Sequence, residues 1–100
     1  MGKLVRDKIP EIIEASGATP LTRILETEEY LSCLEAKLDE EVQEFHESKA
    51  TEELADILEV VYALAEAHGC SREQLQQFFD TKHTARGGFK KRIYWMGNEK

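Results

Sequence analysis

Two acid-rich amphipathic stretches, joined by a break too short to let them part, dominate what this chain can fold into. The first predicts a helix from Thr27, its expected N-cap, to about His46. Its apolar stripe is Leu31, Leu34, Leu38, Val42 and Phe45. The second predicts a helix capped by Thr51 and ending at Gly69. Its stripe is Leu54, Ile57, Leu58, Val61, Leu64, Ala65 and His68. Only "ESKAT" lies between the two patterns, so the pair is expected to form an antiparallel hairpin.

The hairpin brings two acidic clusters to one end. "LDEEVQEF" (Leu38 to Phe45) and "EELADILE" (Glu52 to Glu59) carry four carboxylates each. In an antiparallel pair, residues equally far from the turn share a level, which matches Glu44 with Glu53 and Glu41 with Asp56. Within each helix the two acids are three apart and lie on one side. At 100° per residue, Glu41 is roughly 65° and Glu53 roughly 75° from the centre of its stripe, with the same sense. The four carboxylates are therefore expected to converge at the edge of the core beside the turn, while Glu40, Glu52 and Glu59 point outward. Such a cluster repels itself unless a cation joins it. Oxygen donors without cysteine or histidine suit Mg²⁺, Mn²⁺ or Ca²⁺. A solvated acidic surface fits the same pattern, and spacing alone does not separate the two.

One hundred residues, 41% apolar and 33% charged, imply one domain, residues 1–100, with a small core that dimerisation would enlarge. No apolar run approaches the ~20 residues of a membrane span. "MGKLVRDKIPEI" lacks a signal-peptide core, so a cytoplasmic protein is expected, with Cys33 and Cys70 reduced and buried. A net charge of -7 argues against general nucleic-acid binding. The charge is uneven. Residues 26–66 hold 14 acids against Lys37 and Lys49, whereas residues 82–92 hold five basic residues and no acid. That division suits a metal site beside an anion site, or two solvated faces.

Around the hairpin, "RDKIPEIIEASG" predicts a short helix, with Asp7 as cap, Pro10 in the first turn and Gly17 as stop. "ATPLTRILE" suggests a short extended piece. Ser71 with Gln74 forms a capping box for a further helix ending near Arg86 at Gly87-Gly88. The fold class expected is all-α.

"EEVQE" followed by "ELAD" resembles the E-E-x-x-E…E-x-x-D signature of the MazG-like, all-α nucleoside triphosphate pyrophosphohydrolases. That superfamily includes phosphoribosyl-ATP pyrophosphohydrolase and the dimeric dUTPases. "KLVRDKIPEII", "EEYL…KLDEEVQEF" and "RGGF", in that order, are similar to a branch of small phosphoribosyl-ATP pyrophosphohydrolase-like proteins. The resemblance extends from Lys3 to about Arg92. It implies Mg²⁺-dependent hydrolysis, with Mn²⁺ a substitute, between the α- and β-phosphates of a (deoxy)nucleoside triphosphate. Metal ligands carry over to Glu41, Glu44, Glu53 and Asp56. It also implies a homodimer or higher homo-oligomer in which hairpins assemble into a four-helix-bundle type of structure.

Among the acids, Glu41 or Glu44 is expected to orient the attacking water or take its proton, and Glu40 to act from outside the ligand set, between subunits, or not at all. Lys82 and Arg86 share a helix face before the glycine pair and are the first choice for phosphate. Lys3, Arg6 and Lys8 are the second. Lys37 is either an ion pair with Glu41 or a phosphate ligand. Lys91 and Arg92 fit phosphate binding and tail solvation equally. His68 reads as a capping or core residue, and His46 and His83 have no evident partner. Phe89, Tyr94 and Trp95 serve packing or stack on a base. No P-loop, nucleophilic constellation or zinc spacing is present. The alternatives to a general triphosphate pyrophosphohydrolase are phosphoribosyl-ATP hydrolysis in histidine synthesis and a non-catalytic module that binds metal or nucleotide.

Overall fold

Helices form where the apolar pattern expects them, and only α4 has the side-chain cap expected for it. The computed structural model describes residues 2–99, which contain four α-helices and, among the described residues, no strand. α1 spans Ile9–Ala15, α2 Thr27–Ser48, α3 Glu52–Ala67 and α4 Arg72–Arg86. Pro10 occupies the first turn of α1, where its missing N–H costs nothing. Lys8 rather than Asp7 stands at the N-cap. Gly17, at φ 98°, supplies the left-handed turn that stops α1. Residues 18–26 have no regular structure, so the expected extended piece is absent. It is a linker in which Arg23 donates to both oxygens of Glu29 at 3.0 and 2.8 Å, holding the chain against the first turn of α2.

The α2–α3 hairpin is present as expected, with small shifts at its ends. Thr27 lies inside α2 and Glu26 takes the cap position with extended backbone. α2 runs on to Ser48. Lys49 then turns left-handed at φ 57°, its N–H donating to the Phe45 carbonyl at 2.8 Å. Thr51 stands before α3 without using its hydroxyl as a cap. At the other end, α3 stops at Ala67 and His68 is an exposed C-cap, not part of the buried stripe. The Ser71–Gln74 capping box forms as expected. Gln74 N–H donates to Ser71 Oγ at 3.1 Å, and Ser71 N–H to Gln74 Oε1 at 2.8 Å. Arg72 lies 4.1 Å above the Tyr62 ring and fastens the start of α4 to α3.

The core is very small. Leu34 on α2 and Val60 on α3 are its buried apolar residues, and Glu41 is buried with them. Val60 lies outside the stripe assigned to α3 from sequence. α3 is apolar on more than one side, and the side that meets α2 is the Val60 side. Leu54 and Leu58, roughly 120° and 160° round the helix from Val60, remain nearly half exposed. Phe78 and Phe79 on α4 are exposed as well. Among the described residues, α4 packs on α3 alone, and α1 packs closely on no other helix. The chain is accordingly elongated, 65 × 32 × 22 Å, with a radius of gyration of 18.1 Å against about 13 Å for a compact chain of this length.

Cys33 and Cys70 are unpaired and half-buried, less enclosed than expected. No helix among the described residues is long and apolar enough to cross a membrane.

Candidate metal centre and groove

Because α3 turns its Val60 side toward α2, the acids sit closer to the helix contact than the sequence stripe implied. Glu53 and Asp56 lie roughly 20° and 40° from Val60 round α3, and Glu41 roughly 20° from Leu34 round α2. The expected offsets of 65–75° were too large. The stripe assigned to α3 left out Val60, so its centre lay to one side of the face that meets α2. Glu41 is thus inside the interface between the helices, with its side chain about nine-tenths buried.

Two sets of carboxylates meet there, each with oxygens within 4.8 Å of one another: Glu41, Glu53 and Asp56, and Glu40, Glu41 and Glu44. The four acids named from sequence are divided between the sets, with Glu44 apart from Glu53 and Asp56, and Glu41 is the member common to both. Glu40 was expected to point outward. Its side chain instead bends back, with Lys37 Nζ 3.3 Å from Glu40 Oε2 and 3.4 Å from Glu41 Oε1. A backbone angle locates a Cβ, and the flexible stem of a glutamate can swing the carboxylate well round the helix from it. Glu52 and Glu59 are exposed, as expected.

The buried oxygen Glu41 Oε2 has no hydrogen-bond partner, alone in this among the described residues. A buried, unpaired carboxylate oxygen is costly and calls for a donor or a cation. The surrounding groups are acidic. The adjoining Glu41 carboxylate raises the pKa of Glu44. Lost hydration, followed by the adjoining Asp56 carboxylate, raises that of Glu53. Partial burial works against the charge on Lys37, yet Glu40 and Glu41 outweigh it and its pKa is raised. A hard divalent cation fits this donor set, which is all oxygen and bears excess negative charge.

A groove of about 700 Å³ opens from the cluster. One wall is the N-terminal segment Leu4–Ile9. The other is the hairpin, from Glu41 and Asp56 to Tyr30 and Tyr62 at the far end. Arg6 and Lys37, both proposed for phosphate from sequence, line it, as does Lys8. Arg6 Nη2 donates to Asp56 Oδ1 at 2.7 Å.

The first choice for phosphate does not line this groove within one chain. Lys82 and Arg86 lie exposed on the last turns of α4, outside the groove, because α4 touches α3 alone. Lys3 is also exposed and outside the lining, although it sits on the same segment as Arg6. Phe89, Tyr94 and Trp95 neither pack nor reach the groove. They are exposed in the tail, where Trp95 Nε1 donates to Asn98. His83 stacks on Phe79 at 5.7 Å, and His46 is tilted against Phe45 at 6.3 Å, both away from the acids. Among the groove residues that sequence reasoning did not single out are Tyr30 and Tyr62. A signal existed for Tyr30, four positions before Leu34 on the same helical face.

No family model matches the chain, and no solved structure matches it. An uncharacterized protein of Mycolicibacterium smegmatis (strain ATCC 700084 / mc(2)155) is 61% identical over 44 residues, which are 44% of this chain and 45% of that protein. The chain thus spans less than half the length of that relative, whose name assigns it no activity.

Proposed function

We propose that this chain is a Mg²⁺-dependent nucleoside triphosphate pyrophosphohydrolase whose centre lies at the turn end of the α2–α3 hairpin. The observation that carries the reading is Glu41: a nine-tenths buried carboxylate with an unpartnered oxygen, shared by two carboxylate sets. The same four acids match the motif that "EEVQE" and "ELAD" resemble.

Glu41, Glu53 and Asp56 would hold the metal, and Glu44, which shares the second carboxylate set with Glu41, would complete its ligands. Bound there, Mg²⁺ supplies Lewis acidity and neutralises phosphate charge. Glu44, with its raised pKa, is placed to orient a water and accept its proton. Lys37 and Arg6 face the groove and bind phosphate oxygens. Tyr30 and Tyr62 stand at the other end, where a base or sugar would lie. Lys82 and Arg86 take part only where another subunit carries α4 over the groove. The test is pyrophosphate release from a panel of ribo- and deoxyribonucleoside triphosphates, phosphoribosyl-ATP included, with and without Mg²⁺. Mg²⁺-dependent release from a panel member is expected. A folded protein that binds Mg²⁺ and releases none from any of them is a binding module instead.

The working unit we propose is a homodimer or larger, in a four-helix-bundle type of arrangement. Two buried apolar residues do not sustain a chain of this length, and Leu54 and Leu58 offer a second apolar face on α3. Sedimentation is expected to give at least twice the mass of one chain. The double substitution Leu54→Glu, Leu58→Glu is expected to reduce it to one chain and lower the melting temperature. A wild-type protein that sediments as one folded chain would rule the assembly out.

A further inference from the structure

One carboxylate of the cluster already has a cation on it. Arg6 reaches across fifty residues of sequence to Asp56, at 2.7 Å, and Asp56 also belongs to the Glu41, Glu53, Asp56 set. The guanidinium and a divalent ion therefore compete for the same group. Their strengths differ. The Arg6–Asp56 pair is open to solvent, with side-chain exposures of 55% and 41%, and pairs of this kind contribute little. A divalent ion would gain three carboxylates together, including the buried Glu41 whose Oε2 lacks a partner. Once bound, its two charges would repel a guanidinium at contact distance.

The released side chain stays over the groove. Arg6 lies before α1 in irregular backbone, and α1 packs closely on no other helix, so little holds the side chain to one position. It makes a single side-chain hydrogen bond among the described residues, which leaves most of its five donors available. Lys37 faces it from the hairpin wall of the same groove. A planar, forked donor set opposite a lysine suits a phosphate.

The geometry points to Arg6 as an exchange counter-ion: it occupies Asp56 in the metal-free protein, and yields it to the metal to become a ligand of the substrate's phosphates. This rests on the metal-centre reading above. The exchange makes metal and polyphosphate bind cooperatively, each favouring the state in which Arg6 has left Asp56.

The test is calorimetric titration of Mn²⁺ into the wild-type chain, Arg6→Gln and Lys8→Gln, then of inorganic pyrophosphate into each Mn²⁺-loaded protein. Lys8 lines the same groove and carries the same charge, so Lys8→Gln measures the effect of charge alone. Arg6→Gln is expected to bind Mn²⁺ about two- to fivefold more tightly than wild type, the worth of a lost surface pair, while Lys8→Gln changes it less. Mn²⁺-loaded Arg6→Gln is expected to bind pyrophosphate about tenfold more weakly or worse, as a lost charged hydrogen bond implies. Equal tightening by Lys8→Gln, unchanged Mn²⁺ affinity in Arg6→Gln, or unchanged pyrophosphate affinity would each overturn the exchange. A wild-type chain that binds no Mn²⁺ fails differently, because it removes the metal centre itself. Circular dichroism of each variant confirms that the helices compared are intact.

Discussion

Replacing Glu41 by glutamine is expected to lower the kcat/KM of the proposed Mg²⁺-dependent hydrolysis by about 10²–10³-fold or more, since each 1.36 kcal/mol of lost transition-state stabilisation costs tenfold and a metal contributes several. Glu41 is the most exacting position in the cluster because it belongs to both carboxylate sets and is nine-tenths buried. Glutamine keeps the size and removes the charge. Its amide N–H groups can donate to neighbouring carboxylates, so the variant is expected to keep its helices. Loss of activity then separates from loss of fold by circular dichroism. Glu40→Gln is the contrast. Glu40 is partly exposed and held by Lys37, so its replacement is expected to change the rate only a fewfold. Retention of wild-type turnover by Glu41→Gln would remove the cluster from the reaction altogether.

Saturation with Mn²⁺ or Mg²⁺ is expected to raise the melting temperature and to reverse the direction in which it depends on pH. A ligand at 100 times its Kd adds about 2.7 kcal/mol to folding, or roughly 10–20 °C for a domain of this size. Without metal, the raised pKa values of Glu44 and Glu53 govern the cluster. An acid whose pKa is higher in the fold than in the unfolded chain keeps its proton longer in the fold. Stability therefore falls as pH rises from the ordinary glutamate value through the raised ones. Glu29 acts lower on the scale. The Arg23 hydrogen bond depresses its pKa, and the stability it contributes is lost as pH falls through that depressed value. The metal-free protein should then be most stable at mildly acidic pH, with small amplitudes because these groups meet solvent. Metal requires ionised carboxylates, so the saturated protein should gain stability toward neutral pH. Scanning calorimetry across this range checks both slopes, and equal slopes with and without metal would mean that the carboxylates do not bind it.

A short break between two amphipathic patterns, the Ser71–Gln74 box and the glycines after α1 and α3 are local features, and they determined the helices from sequence alone. That Glu41 and Asp56 come together across the hairpin was also legible, because a short turn leaves the two arms little freedom to slide. The rotation of α3 was not. A helix apolar on two sides can present either to its neighbour, and the contact with α2 chose Val60 over Leu54 and Leu58, drawing Glu53 and Asp56 inward with it. The cationic half of the site depended still more on tertiary structure. Arg6 reaches Asp56 from fifty residues away, whereas Lys82 and Arg86 are held away from the groove because α4 meets only α3. Helix period and turn length are properties of neighbouring residues, and so the sequence by itself determined the hairpin and its ring of acids. Which face is buried, and which cation reaches it, are decided by packing between distant segments.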